Sequence, residues 1–418
     1  MQDKVWHRNY DPGVPREIEF EDISLSGLFQ RSVEKFPDRP AVIFMNCRLS
    51  YRQLKGEVDR LATALAGMGV RPDTKVAIHM PNLPQTVISV LAVLSLGAQA
   101  VMTNPLYVER EIEHQWHDAG VEVAITTDWL YAQRIKGIRD KLPVRNYLIA
   151  TIAEYLRFPL NLLAPFKLKK ADPPLTAHVA VENGVYFFRK LLRATTPAPP
   201  RPMITLESVA LLQYTGGTTG VSKGAMLSHG NLSCNVQQLT AWFPNLEPGG
   251  EVILAALPYF HVFGINICLL WPCSVGAAMV LMPNPRDIPL MIKNVAKHKA
   301  TLMPAVPAIF NAVNQFPGVE KFDLTSVKSC FSGSAPLPID VMERFERLTG
   351  GKIVEGFGLT ETSPVATANP LSGLRKAGSI GLPLPNTVAK IVDAELGDTE
   401  LPVGKEGELI LRGPQVMK

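Results

Sequence analysis

Residues 211–224 read LLQYTGGTTGVSKG, and no other stretch limits the fold so tightly. Valine, leucine and tyrosine at 209–214 have the character of a buried strand, and ten residues made almost wholly of glycine and hydroxyl side chains follow, closing on Lys223 and Gly224. Gly216, Gly217 and Gly220 can take backbone angles barred to other residues, so successive N–H groups can converge on one anion. Thr215, Thr218, Thr219 and Ser222 add hydroxyl donors, and Lys223 adds a charge. The common nucleotide loop needs Gly-Lys followed by Ser or Thr opening a helix, whereas Lys223 stands between Ser222 and Gly224; a kinase- or GTPase-type reading fails on that ground. The plain alternative is a flexible turn between two strands. Residues 225–228 then read as a returning strand, and Ser228 can cap a helix whose Leu232, Val236, Leu239 and Phe243 share a face, with His229 structural.

A chain of 418 residues has room for two or three folding units and a large core. Its mean hydropathy of +0.10 fits a soluble globular protein. The net charge of +4, with no basic run interleaved with aromatics, argues against nucleic acid as a partner. Cys47, Cys234, Cys268, Cys273 and Cys330 are odd in number and lack metal-ligand spacing, so a reducing, cytoplasmic setting is expected. The polar start, with Asp3, Lys4, His7 and Arg8, does not read as a signal peptide. Residues 252–282 are apolar for longer than the roughly 20 residues of a membrane span. Pro258, His261, Gly264, Pro272 and Gly276 divide them into strand, helix and strand of a buried sheet.

Ser50 and Gln53 make a capping box ahead of Leu54, Val58, Leu61, Leu65 and Met68 at helical spacing. Residues 75–80, 83–96 and 98–102 read as strand, helix and strand, and a charged helix at 108–119 and a strand at 121–126 extend the unit into an open, mostly parallel sheet. Residues 143–202 differ: Phe158, Leu160, Leu162, Leu163 and Phe166 run into Lys167, Lys169 and Lys170. Such a stretch is either a surface insertion packed on the body or an apolar patch, edged by lysines, that lies on an anionic membrane. Further on, 290–298 reads as a helix, 300–303 and 326–330 as strands, and 339–349 as an amphipathic helix.

Three further segments carry chemistry. His261 lies among aromatics in PYFHVF, 258–263, where a histidine is ordinarily a hydrogen-bonded core residue. Gly333, Ser334, Ala335 and Pro336 form a small-residue turn after a strand, where side chains leave room for a ligand to approach the backbone. EGFGLTE, 355–361, brings Glu355, Gly356, Phe357 and Gly358 up to Thr360 and Glu361.

Together with GAMLSHGNL, KSCFSGSAPLP and GSIGLPLPNT, these segments resemble the adenylate-forming, or acyl-activating, enzymes, most closely their long-chain fatty-acyl-CoA synthetase branch, over about residues 20–418. The resemblance implies an α/β fold: two stacked, mostly parallel sheets covered by helices plus a small β subdomain. It divides the chain into 1–202, with an insertion at about 143–202, then 203–370, with the phosphate loop and acyl/adenine pocket, and 371–418. It implies that a fatty acid, ATP and coenzyme A are the substrates and Mg²⁺ the metal. Tyr214 through Gly224 would cradle phosphate, the 333–336 turn would line the adenine and acyl pocket, and His261 would position the acyl carboxylate. Phe357 stands where tyrosine is commoner and keeps a ring face for adenine. Thr360 would donate to the α-phosphate, and Glu361 would hold Mg²⁺. Medium-chain and 4-coumarate-type ligases are the rivals within the family, and a non-catalytic nucleotide- or acyl-binding body is the rival outside it. The sequence ends at GELILRGPQVMK, before the mobile C-terminal domain such enzymes carry, so weak adenylation and little or no thioester formation are expected of these 418 residues. A homodimer and peripheral contact with the inner face of the membrane complete the expectations.

Overall fold

Alternation along the strands divides the apolar residues among three cores. The computed structural model describes residues 4–215, 222–397 and 399–418. On the strand Lys75–His79, Val76 and Ile78 face the central core while Ala77 faces an outer one with Trp116, Tyr131 and Tyr147. On Val252–Ala255, Ile253 and Ala255 face the central core and Leu254 a second outer one with Phe310 and Phe345. Period-two alternation with both faces apolar is what a strand buried between two layers requires.

Two sheets result. The first has seven strands in the order Val185–Phe187, Asn146–Ala150, Val123–Thr127, Lys75–His79, Gln99–Met102, Val209–Thr215 and Lys223–Ser228. All neighbours are parallel except the last two, which form an antiparallel hairpin with Thr215 opposite Lys223. The second sheet runs from Cys47–Ser50 through Pro40–Phe44, Ala278–Leu281 and Val252–Ala255. Leu302 bridges it to Ser329–Ser332, Lys352–Gly358, Val365–Ala368 and Leu382–Pro383. Between the sheets lie Tyr51–Gly67, Pro84–Ser95, His229–Trp242 and the helical run from Val262 to Val275, while Glu109–Ala119 covers the first sheet and Ile288–His298, Pro307–Asn314 and Ile339–Thr349 cover the second. A separate hairpin, Val388–Val392 with Glu408–Arg412, is the small β element. The expected α/β architecture of two mostly parallel sheets is therefore what the chain forms.

The caps read from sequence are present: Ser50 and Ser228 each accept from the backbone N–H three residues on. Two expected strands differ. Residues 300–303 reduce to bridges at Leu302, and the strand expected at 326–330 begins at Ser329, because Thr325 and Ser326 lie in a turn closed by the Val327 N–H donating to the Leu324 carbonyl at 3.2 Å. Within 143–202, Asn146–Ala150 and Val185–Phe187 enter the first sheet, while the helix Leu160–Lys169 between them lies on the surface of the body with no fully buried residue. Among the described residues no helix is long and apolar enough to cross a membrane, and all five cysteines are free and buried.

Candidate functional site

Parallel strands deliver the loops at their carboxyl ends to one edge of a sheet, the usual place for a ligand in α/β proteins. Three strands of the second sheet do so here. Val252–Ala255 leads into the PYFHVF segment, Ser329–Ser332 into the turn beginning at Gly333, and Lys352–Gly358 into the turn Thr360–Thr362. Their loops meet around a cavity of about 70 Å³, whose lining includes His261, Gly333, Ser334, Gly356, Phe357, Gly358 and Thr360. The backbone is crowded there: a Cβ on Gly358 would strike the Pro364 carbonyl, and one on Gly356 would strike the Phe331 ring. Ser334 holds a positive φ of 69°, and Phe263 meets Phe331 edge to face at 5.9 Å between centroids.

Of the residues expected to line the adenine and acyl pocket, Ala335 and Pro336 are exposed beside the cavity rather than in it. Glu355 faces the same turn, its carboxylate accepting from the Leu337 N–H at 3.1 Å, and burial raises its pKa. Tyr214, Thr215, Ser222, Lys223 and Gly224 form the stems of the neighbouring hairpin, and Gly216, Gly217, Thr218, Thr219 and Gly220 lie outside the described residues. The stems are braced from the first sheet's covering helix. Tyr214 donates to the Asp118 carboxylate at 2.5 Å, and His114 donates to the Ser222 carbonyl at 3.3 Å. Burial first, and then that bond to Asp118, raise the Tyr214 pKa, which keeps the phenol a donor. The strand Lys223–Ser228 packs against the turn Thr360–Thr362, so exposed Lys223 and half-buried Glu361 ride on adjoining elements.

Buried carboxamides hold these loops. Asn82 donates to the Ala255 and Leu257 carbonyls at 3.1 and 2.8 Å and accepts from the Tyr259 N–H at 2.9 Å, which fixes the approach to His261. Gln213 donates to the Phe260 carbonyl from the first sheet. Asn266 donates to the Ser363 carbonyl at 2.6 Å and to Asn235 at 3.0 Å, and Asn235 both donates to and accepts from the backbone of Val365, at 2.8 and 3.2 Å. Sequence reasoning missed all of these. A signal existed: Asn231, Asn235 and Gln238 recur at i, i+4 and i+7 on a helix read only for its apolar face. That stripe receives the late chain, Asn231 bonding Pro414 and Val416, and Gln238 bonding Pro385.

Electrostatics separate the two histidines singled out. His229 is fully buried, accepts from the Leu25 N–H at 3.4 Å, and is held to a pKa of about 4 by desolvation, as befits a structural residue. Solvent reaches His261, yet the protein mass around it still lowers its pKa, which favours the neutral form of the imidazole at the cavity mouth. Among the described residues no group of three or more His, Cys, Asp or Glu could hold a metal ion. A single half-buried carboxylate, Glu361, suits an ion that takes its remaining ligands from phosphate and water, the habit of Mg²⁺.

A family profile described as AMP-binding enzyme matches residues 29–418. A long-chain-fatty-acid–CoA ligase of Bacillus subtilis (strain 168) is 39% identical over 419 residues, covering 99% of this chain and 73% of the relative. Its counterpart in Escherichia coli O6:H1 is 36% identical over 418 residues, 99% of this chain and 74% of the relative. Among solved structures, that of a long-chain-fatty-acid-CoA ligase (FadD1) from Archaeoglobus fulgidus matches with a TM-score of 0.81 over 98% of this chain and 78% of that one; at 24% identity this is a likeness of fold.

Proposed function

Since the chain belongs to the family of AMP-binding enzymes, we propose that it activates a long-chain fatty acid with ATP and passes the acyl group to coenzyme A. The fatty carboxylate oxygen bonds to the α-phosphorus of ATP as the bond to the bridging oxygen breaks, giving acyl-AMP and pyrophosphate. The thiol of coenzyme A then attacks the acyl carbonyl, loses its proton and expels AMP. The observation that carries this reading is the meeting of three separate loops around one cavity, with the Lys223 strand packed on the Glu361 turn. Such chemistry asks a protein chiefly to position groups and neutralise charge.

In this reading Lys223 and the hairpin hold phosphate oxygens, Thr360 donates to the α-phosphate, and the Phe357 ring stacks on adenine. Neutral His261 and the rings around it border the acyl carboxylate. Glu361 would hold Mg²⁺, which when bound would supply positive charge against the phosphate oxygens. Gln213, Asn82, Asn235 and Asn266 position these groups without touching substrate. The choice of long acyl chains rests on the identity to long-chain ligases.

Pyrophosphate release, measured with ATP and carboxylic acids from acetate to oleate, tests the proposal together with equilibrium ATP binding. Release should depend on the acid and be greatest for long chains. Lys223→Ala and Glu361→Gln should each lower it roughly 10²–10³-fold, the scale of one lost charge-stabilising group. A preference for short or aromatic acids would move the chain to a different substrate class. ATP binding without acid-dependent release in any condition would make it a binding body, and neither binding nor release would sink the reading.

A further inference from the structure

The helix Leu160–Lys169 carries apolar side chains on two opposite faces, with Asn161, Lys167 and Lys169 between them, although only one face meets protein. Only Ala164 and Leu168 pack against the body. On the opposite face Phe166 is 71% exposed, Leu162 59% and Leu163 58%, and Phe158, just before the helix, is 76% exposed. At 3.6 residues per turn, 162, 163 and 166 fall within one arc of about 100°. Four basic residues, Arg157, Lys167, Lys169 and Lys170, surround this arc against one acidic residue, Asp172, in 157–180. Among the described residues none of the three lysines has an ion-pair partner.

A recess of about 530 Å³ adjoins the helix, lined by Asn161 and by Glu154, Arg189, Lys190 and Arg193 among others. Glu57 takes the charge of Arg189, and Glu154 accepts from Gln85 at 3.1 Å. Exposed Lys190 and Arg193 thus leave the recess cationic. An apolar arc ringed by cations fits a surface that is apolar inside and anionic at its rim. A second copy of this chain would instead bring lysines against lysines.

We propose that this face docks on an anionic phospholipid bilayer, with Phe158, Leu162, Leu163 and Phe166 entering the boundary between headgroups and acyl chains and the flanking cations meeting lipid phosphates. Docking here is independent of the nucleotide chemistry, because none of these residues lies in the candidate site.

Cosedimentation of the chain with phosphatidylcholine vesicles, and with vesicles in which part of that lipid is replaced by phosphatidylglycerol, tests the proposal. The chain should bind the anionic vesicles, release in high salt, and bind neutral ones far less. The double variants L162S/F166S and K169E/K170E should each weaken binding at least about tenfold, with thermal unfolding and ATP affinity unchanged. Equal binding by the variants, or none by the parent, would overturn it. So would a parent dimer that L162S/F166S converts to monomer without changing vesicle binding, since the face would then join two copies. Inorganic phosphate at the vesicle phosphate concentration should not displace the chain; displacement would assign the recess to free phosphate and overturn docking.

Discussion

The cavity at the strand ends and the helix Leu160–Lys169 use similar residues to opposite ends. Both have phenylalanine and proline in segments that leave a sheet. At the cavity, Phe263 and Phe331 are 8% and 4% exposed and pack on each other, whereas Phe166 is 71% exposed. The cavity loops are bonded back to the body by Asn82, Gln213, Asn235 and Asn266. The chain leading into the helix is held near Arg157 by Asn46, which donates to its carbonyl at 2.8 Å. A net hydrogen bond contributes only about 1 kcal/mol, but losing one partner strands the other without water. Buried carboxamides therefore make a loop precise, and their absence leaves a segment free to meet a different solvent.

That contrast can be broken or sharpened by substitution. The largest effect should come from Gly358→Val: the side chain would collide with the Pro364 carbonyl, and a loss on the order of 4 kcal/mol is expected in urea unfolding. A parent-like midpoint would mean the turn is not crowded. Acid should act next. His229, held near pKa 4 in the folded chain against 6.5 ordinarily, makes the unfolded state bind the extra proton between those values. Stability is intact above pH 6.5, falls as pH drops toward 4 and levels below, by about 3 kcal/mol from this group. His79, held down to about 3, adds to the same slope. His229→Asn, which keeps an acceptor for the Leu25 N–H, should flatten the slope; an unchanged pH profile would show that the imidazole is not the source.

Asn235→Ala should lower stability by about 2 kcal/mol and weaken ATP binding, because it frees the turn that bears Thr360 and Glu361. Full retention of both would remove the carboxamide account of the site. The smallest effect should be Phe166→Ser, within about 0.5 kcal/mol of the parent, as for other exposed positions. A loss several times larger would show that the ring packs on the body and would erase the comparison.

Much of the fold was legible because local pattern and burial agreed. The apolar run 252–282 read as strand, helix, strand from its prolines and glycines, and the strands at Val252–Ala255 and Ala278–Leu281 enclose helical turns. The cap at Ser228 was legible for the same reason: a cap is satisfied within three residues. Gln213 was not, since a glutamine in an apolar strand gives no hint that its partner is the Phe260 carbonyl 47 residues away. Nor did the 160–169 stretch reveal its exposed side, because Asn161, Lys167 and Lys169 are scattered around the helix and leave no single apolar face for periodicity to mark.

By itself the sequence determined the chemistry on offer: a glycine- and hydroxyl-rich hairpin closing on Lys223, an aromatic setting for His261, and a turn with Thr360 and Glu361, each written in contiguous residues. The tertiary structure alone decided that these segments adjoin, that asparagines far apart in the chain hold them, and that one apolar helix faces outward. Propensity and turn geometry act over a few residues, whereas the partner of a buried amide or the neighbour of an apolar face is chosen only when sheets and helices pack.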